Sequence, residues 1–109
     1  MRHPTIGALR HRLRLEAPQT SADGGGGGDE TWSLVTEIWG EVIAASGQET
    51  FEADGLSGRI SHEIAIRYRN DVAAKQRFVE DGRVYDIRAV LDREGRRRWL
   101  HCLCVERVA

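Results

Sequence analysis

At 109 residues, 30% charged and 40% hydrophobic, the chain has the size and composition of one soluble globular domain with one small core. Its formal net charge of −1 argues against a protein that coats nucleic acid through bulk positive charge. Every basic residue except Lys75 is arginine, a side chain suited to bidentate pairing with carboxylates at interfaces.

The N-terminal stretch MRHPTIGALRHRLRLEAP contains no apolar run of the kind a secretory signal needs. No segment approaches the ~20 apolar residues of a membrane span, so no membrane partner is expected. Within it, LRHRLRLEA alternates. Leu9, His11, Leu13, Leu15 and Ala17 face one way, and Arg10, Arg12, Arg14 and Glu16 the other, which predicts a half-buried strand. The arginine row reads as a solvated face or as a contact with DNA or a neighbouring subunit.

Residues 18–30, PQTSADGGGGGDE, hold five consecutive glycines at 24–28 and predict a flexible loop between two strands. A phosphate-binding P-loop would need a following Gly-Lys-Ser/Thr and a helix, and neither is present. The next stretch, TWSLVTEIWGEVIAA, is ambiguous in period: Val35, Ile38, Trp39 and Val42 fit a helix. Its β-branched and aromatic content favours a strand, with an irregularity or bulge near Gly40.

AASGQETFEADGLSG, residues 44–58, is small, polar and acidic. Ser46-Gly47-Gln48-Glu49 matches a capping box and predicts a short helix over Gly47 to Ala53, ended near Gly55. Phe51 is its one large apolar residue, and a helix so short and polar is marginal by itself. It must dock or move.

GRISHEIAIRYR alternates again, with Ile60, His62, Ile64, Ile66 and Tyr68 on one face. A turn at Asn70-Asp71 and a short strand at Arg77–Glu80 follow. Asp81-Gly82 between apolar runs is a strong hairpin signal. The last strand, in RRRWLHCLCVERV, comes after a turn at Asp92–Gly95. Trp39, Tyr68 and Tyr85 read as core. Short strands with turn signals and one small helix predict a mainly β fold. The expected form is a compact β-barrel with one short helix or loop insertion after the second strand.

No constellation carries catalysis, and no enzyme is expected. His101, Cys102 and Cys104 invite a zinc reading, yet a structural zinc needs four ligands, usually as two separated pairs. No metal or cofactor is expected. The two cysteines would share one strand face about 6.5–7 Å apart, a poor disulfide geometry, so free thiols in a reducing cytoplasm are expected. His62 reads as a hydrogen-bonded core histidine. Glu49, Glu52 and Asp54 read as solvated charge, because catalysis needs rigid, preorganised groups. Arg93, Arg96, Arg97 and Arg98 at a hairpin tip read as a solvated turn or as a contact with DNA or an acidic surface.

Five stretches in order carry a family resemblance: Trp39–Val42, Ser46–Glu49, His62–Tyr68, Gly82–Ile87 and Cys104–Glu106. Their order and spacing resemble the phage head–tail joining proteins, also called head closure or stopper proteins, of siphophages, prophages and gene transfer agents. The match covers nearly the whole chain. Gly40 departs from the pattern, which favours Ala there, and so does the pentaglycine tip. The resemblance implies a small β-barrel that does no chemistry. It would be made in the bacterial cytoplasm and reside in the neck of a virion or phage-like particle. Such proteins form a homo-oligomeric ring, generally of six copies, beneath the portal and its adaptor, with the tail terminator or tail tube on the other side. The ring closes the channel after DNA packaging and opens for delivery, so double-stranded DNA passes through its lumen without sequence specificity.

By position, the channel-facing loop is residues 45–58, with Ser46, Gln48, Glu49, Thr50, Phe51, Glu52 and Asp54. Arg10, Arg12, Arg14, Arg93, Arg96, Arg97 and Arg98 are then candidates for contacts between subunits or rings. The glycine loop, through Gly25 and Gly26, is a candidate for docking on a neighbouring ring. The competing readings are a tail terminator-type ring and a nucleic-acid-binding barrel of the OB or SH3-like kind, which would need aromatic platforms on a basic face.

Overall fold

The computed structural model describes residues 6–20, 30–47, 50–53 and 56–107. A 3-10 turn at Ile6–Ala8 precedes strands β1 (His11–Thr20), β2 (Glu30–Ala44), β3 (Thr50–Ala53), β4 (Leu56–Arg59), β5 (His62–Arg67), β6 (Arg77–Glu80), β7 (Arg83–Leu91) and β8 (Trp99–Arg107). Six of them close a barrel in the order β1-β2-β5-β8-β7-β6, while β3 and β4 form a separate two-stranded sheet. Every ladder is antiparallel, and β6 closes the barrel on Arg14, Leu15 and Glu16 of β1. The expected mainly β barrel is the observed architecture.

Alternation builds the core. Leu13 and Leu15 of β1, Ile64 and Ile66 of β5, Tyr85 and Ile87 of β7, and Leu100, Cys102 and Cys104 of β8 all point inward and are buried. Each large apolar side chain so buried contributes about 1.5–3 kcal/mol. Burial pushes the Cys102 thiol up to about 12 and the Cys104 thiol well above its ordinary value, so both are kept as protonated, inert, apolar groups.

Two bulges bend the wall. Leu15 pairs with Thr36 and Glu16 with Leu34, so Val35 is an extra residue in β2. Ile87 pairs with Cys104 and Ala89 with Leu103, so Arg88 is an extra residue in β7. Bulges sharpen the local twist that a small barrel needs. The irregularity expected near Gly40 therefore sits at Val35 instead. Gly40 itself is in regular register with His11 on one side and Ile66 on the other. It is glycine for space: a Cβ there would meet Leu13 Cδ1 at 2.7 Å and the Ala65 carbonyl at 3.3 Å.

The β1–β2 ladder runs to Thr20 and Glu30, so both ends of the expected 18–30 loop are strand. The pentaglycine run lies outside the described residues. Asp81 and Gly82, with φ of 48° and 81°, make the tight β6–β7 turn that their sequence announced.

The short helix expected over Gly47 to Ala53 is not formed. Thr50–Ala53 is a strand, paired from Thr50↔Arg59 to Ala53↔Leu56. A helix of about two turns has only a few hydrogen bonds to set against its nucleation cost, whereas the hairpin pairs the facing peptide groups of both arms. Thr50 and Phe51 are also better strand formers than helix formers.

Candidate functional site

The excursion between β2 and β5 leaves and re-enters the barrel at one point. The Ala45 N–H donates to the Ser61 carbonyl at 2.9 Å, and the Ser61 N–H donates to the Cys104 carbonyl at 2.9 Å. The Ser61 hydroxyl accepts from the Glu106 N–H at 2.6 Å. This clamp pins the base of the excursion to β8. Beyond it, β3 pairs only with β4, and β3 lies against β7. The Arg59 guanidinium reaches back to the Gly47 carbonyl at 3.2 Å.

Of the residues expected in the channel-facing loop, Ser46 is exposed beside the clamp, and Thr50, Phe51 and Glu52 fall on β3. Gln48, Glu49 and Asp54 lie outside the described residues, as do Gly25 and Gly26. The capping box through Glu49 therefore lies there too.

The arginines divide into engaged and free. Arg10 Nε donates to the Gly7 carbonyl at 3.3 Å. Arg12 sits 3.7 Å from Glu37 and 5.2 Å over the Trp39 ring. Arg14 is 3.5 Å from Glu16, and Arg93 is 2.6 Å from Glu63. These four are tied into their own chain. Arg96, Arg97 and Arg98 are exposed on the β7–β8 turn, and no ion pair among the described residues engages them. Asp92 shapes that turn by accepting from the Gly95 and Arg97 N–H groups at 3.0 Å each, with Arg97 at a positive φ of 55°.

Glu63 carries a second ligand, the buried His101, at 3.1 Å. His101 is thus a partner of a carboxylate on the barrel wall, while both cysteines face the core. Among the described residues no group of three His, Cys, Asp or Glu side chains has a metal-binding arrangement. His62 stands partly buried, bonded to the Ser61 hydroxyl at 2.9 Å and packed edge-on against Tyr85. Desolvation lowers its pKa, Glu106 opposes that, and Arg83 adds to it.

Two residues expected in the core are not there. Trp39 is 50% exposed and Tyr68 37%. They flank an open groove of about 580 Å³ whose floor includes Ile38 and Ile66. A strict period-2 reading of β2 would have found Trp39, since Ile38 and Gly40 face inward and Trp39 between them must face out. The rival helical period grouped Ile38 with Trp39 and hid it. Tyr68 lies one residue past β5, where its backbone N–H turns to the Arg98 carbonyl at 3.0 Å.

No helix among the described residues is long and apolar enough to cross a membrane. A search of curated proteins found no match. Among solved structures, the chain is similar to one from the virion of a native gene transfer agent particle. The TM-score is 0.70 and the identity 30%, over 98% of this chain and 100% of that one. It is also similar to protein SF1141 from Shigella flexneri 2a, with a TM-score of 0.70 and 28% identity over 94% of this chain and 96% of that one. The family profile described as phage head completion protein matches residues 4–107. With that match running through every barrel strand, the chain belongs to the phage head completion protein family.

Proposed function

We propose that copies of this chain form a ring, generally of six, in the neck of a phage or gene-transfer-agent-like particle. The ring sits between the portal–adaptor complex and the tail terminator or tail tube. It closes the DNA channel after packaging and offers the tail its docking surface. Family membership makes the chain a structural component of head completion. The observation that carries the finer reading is the similarity, over essentially the full length of both chains, to a chain of a gene transfer agent virion.

The excursion at residues 45–58 suits a lumenal gate. Its strands are hydrogen-bonded only to each other, and β3 leans on β7 without pairing with it. A two-stranded hairpin contributes little stability of its own in water. Movable elements come from this low-stability end. The clamp at Ala45 and Ser61 lets the hairpin swing while the barrel stays closed. Glu49, Glu52 and Asp54 would repel DNA phosphates, so a passing duplex slides without sticking. A heterologous contact repeated about an axis closes a ring when the rotation fits, and weak hairpins then brace one another.

For contacts between subunits, Arg96, Arg97 and Arg98 are the candidates ready to pair. Arg10, Arg12, Arg14 and Arg93 would have to exchange partners they already hold. Gly25 and Gly26 belong to the loop proposed to dock on a neighbouring ring.

Particles from a strain lacking the gene, complemented by wild type or by a variant missing residues 46–58, test this reading. The deletion should give DNA-filled heads that leak and carry no tails. The loop variant should restore tails without restoring retention of DNA. Sealed, tailed particles from the deletion strain would refute it.

A further inference from the structure

β2 and β5 part company at one end of the barrel. Their ladder stops at Gly40↔Ile66, and β5 then turns toward the β7–β8 loop through the Tyr68–Arg98 backbone bond. Among the described residues, β1 is the only strand paired with β2 from Thr31 to Trp39. One edge of β2 is therefore an open row of peptide groups, nine residues long. The groove opens where this edge ends. The buried Ile38 and Ile66 and the exposed Trp39 and Tyr68 line it. Leu34 and Val35, farther along the same strand, are exposed as well.

The rim is basic. Arg67 lines the groove, and Tyr68 is shared with an adjoining depression lined by Arg97 and Arg98. Arg69 is already satisfied by a bidentate pair with Asp71 at 2.9 Å. Among the described residues no ion pair engages Arg67, Arg97 or Arg98, although most other arginines on the barrel wall are paired. Exposed apolar anchors, an open sheet edge and free guanidiniums thus coincide on one face.

We propose that this face docks an extended acidic segment of another protein by strand addition to the β2 edge. The segment's backbone would continue the sheet. A large apolar side chain would enter between Trp39 and Tyr68, and carboxylates would meet Arg67, Arg97 and Arg98. Strand addition takes affinity from main-chain hydrogen bonds and specificity from side-chain pockets. The groove volume lies in the usual range of ligand sites, about 300–1,000 Å³. An unpaired edge is a liability that soluble proteins otherwise cover or blunt with charges and bulges. The one charged residue on this stretch, Glu37, is paired with Arg12 at 3.7 Å, and the bulge at Val35 leaves the segment nearest the groove, Thr36–Trp39, as the regular part of the edge.

Charge complementarity selects the occupant. Three unpaired cations call for an anionic partner. A duplex offers phosphates but cannot pair with the peptide groups of the edge or fill the groove between two aromatic rings. Two copies meeting groove to groove would bring like charges together, which costs energy. The proposal concerns the isolated chain and does not depend on ring formation or on lumenal placement of residues 45–58.

The test uses the full-length, ¹⁵N-labelled protein and three probes. One is the acidic peptide acetyl-Asp-Val-Glu-Phe-Glu-Val-Asp-amide. The second is the same peptide with Asn and Gln in place of Asp and Glu, and the third is a short DNA duplex. The acidic peptide should shift the amides of Thr36–Gly40 and Tyr68. The uncharged peptide should bind at least about tenfold more weakly, the cost of roughly 1.4 kcal/mol of lost pairing. Trp39→Ala should weaken the acidic peptide by about tenfold or more, as expected of a central aromatic anchor. Arg97→Glu should weaken it several-fold. Both substitutions are at exposed positions, and retained dispersion of the spectra verifies that each variant is folded. The proposal is overturned by equal binding of the two peptides, by no shift, or by shifts away from the groove. It is equally overturned if DNA alone perturbs the face, or if the same amides shift with protein concentration and no peptide, which would make a second copy the occupant.

Discussion

The Ala45 N–H meets the Ser61 carbonyl at 2.9 Å, so the chain rejoins the barrel within one hydrogen bond of where it left. The proposed gating requires the segment between the two residues to open while that bond stays closed. Native-state hydrogen exchange should separate the two parts. The Ala45 and Ser61 amides should exchange with the barrel, through global unfolding, and those of Phe51, Glu52 and Gly58 through a far cheaper local opening. Equal protection on both sides of the clamp would remove the physical basis for a movable hairpin. Ser61→Ala also strips the acceptor from the Glu106 N–H, and should cost about 1–2 kcal/mol in urea unfolding.

Gly40 is wedged behind Leu13. A methyl group at Gly40 must displace the buried Leu13 Cδ1 from 2.7 Å, while the Ala65 carbonyl at 3.3 Å limits retreat on the other side. Overpacking of this kind costs about 1–3 kcal/mol, offset by about 0.5–1 kcal/mol from the stiffer unfolded chain. Gly40→Ala should therefore destabilise by about 1 kcal/mol. A double variant with Leu13→Val should recover part of the loss, giving a coupling energy in a double-mutant cycle. Strict additivity would mean that the clash is relieved elsewhere.

Arg77 holds the junction where β6 closes on β1. Its Nε lies 2.8 Å from Glu16 Oε1, and its guanidinium stacks 4.0 Å from the Trp32 ring centroid. Glu16 is buried, and its second contact, Arg14, is longer at 3.5 Å. Arg77→Ala leaves a buried carboxylate short of a partner and should lower stability by about 2–3 kcal/mol. Arg77→Lys should recover only part of that, because an ammonium neither stacks nor forks as a guanidinium does. Denaturant titrations of the three proteins measure both steps.

His62 makes stability depend on pH in a defined sense. Burial disfavours its imidazolium in the folded barrel, whereas the unfolded chain takes up that proton near the ordinary value of about 6.5. The unfolded state then binds more protons, so stability is full above that value. It declines as pH falls toward the lower, folded-state pKa. The thermal midpoint should drop between about pH 7.5 and 5.5, and His62→Gln should flatten that slope. Asp71, held down by its hydrogen bond from Arg69, and Glu106, held down by Arg83, act at lower pH. Their contribution is present above the ordinary carboxylate range and is lost as pH falls through their depressed values. An unchanged slope in His62→Gln would assign the effect to other groups.

Much of the barrel was legible because period 2 is strict wherever one face is buried. β1, β5, β7 and β8 announce themselves through Leu13 and Leu15, Ile64 and Ile66, Tyr85 and Ile87, and Cys102 and Cys104. The Asp81-Gly82 turn was legible because few residues take a positive φ without strain. The 44–58 segment was misread. A capping box is a local signal, and hairpin pairing to Leu56–Arg59 is a longer-range one that outweighed it. Trp39 and Tyr68 were placed in the core because aromatic residues usually go there. Strict alternation along β2 puts Trp39 outside, between the inward Ile38 and Gly40, but nothing local records that β2 and β5 part at Ile66 and leave Tyr68 facing the same groove.

Cryo-electron microscopy of particles carrying this protein, compared with particles lacking it, would locate the chain and its hairpin in the neck. A ring of these barrels is expected below the portal, with the β3–β4 hairpins in the lumen of the closed channel. This density and the tails should both be missing when the gene is deleted. A sealed, tailed particle with no such ring, or a ring whose hairpins face outward from the channel, would contradict the proposed function.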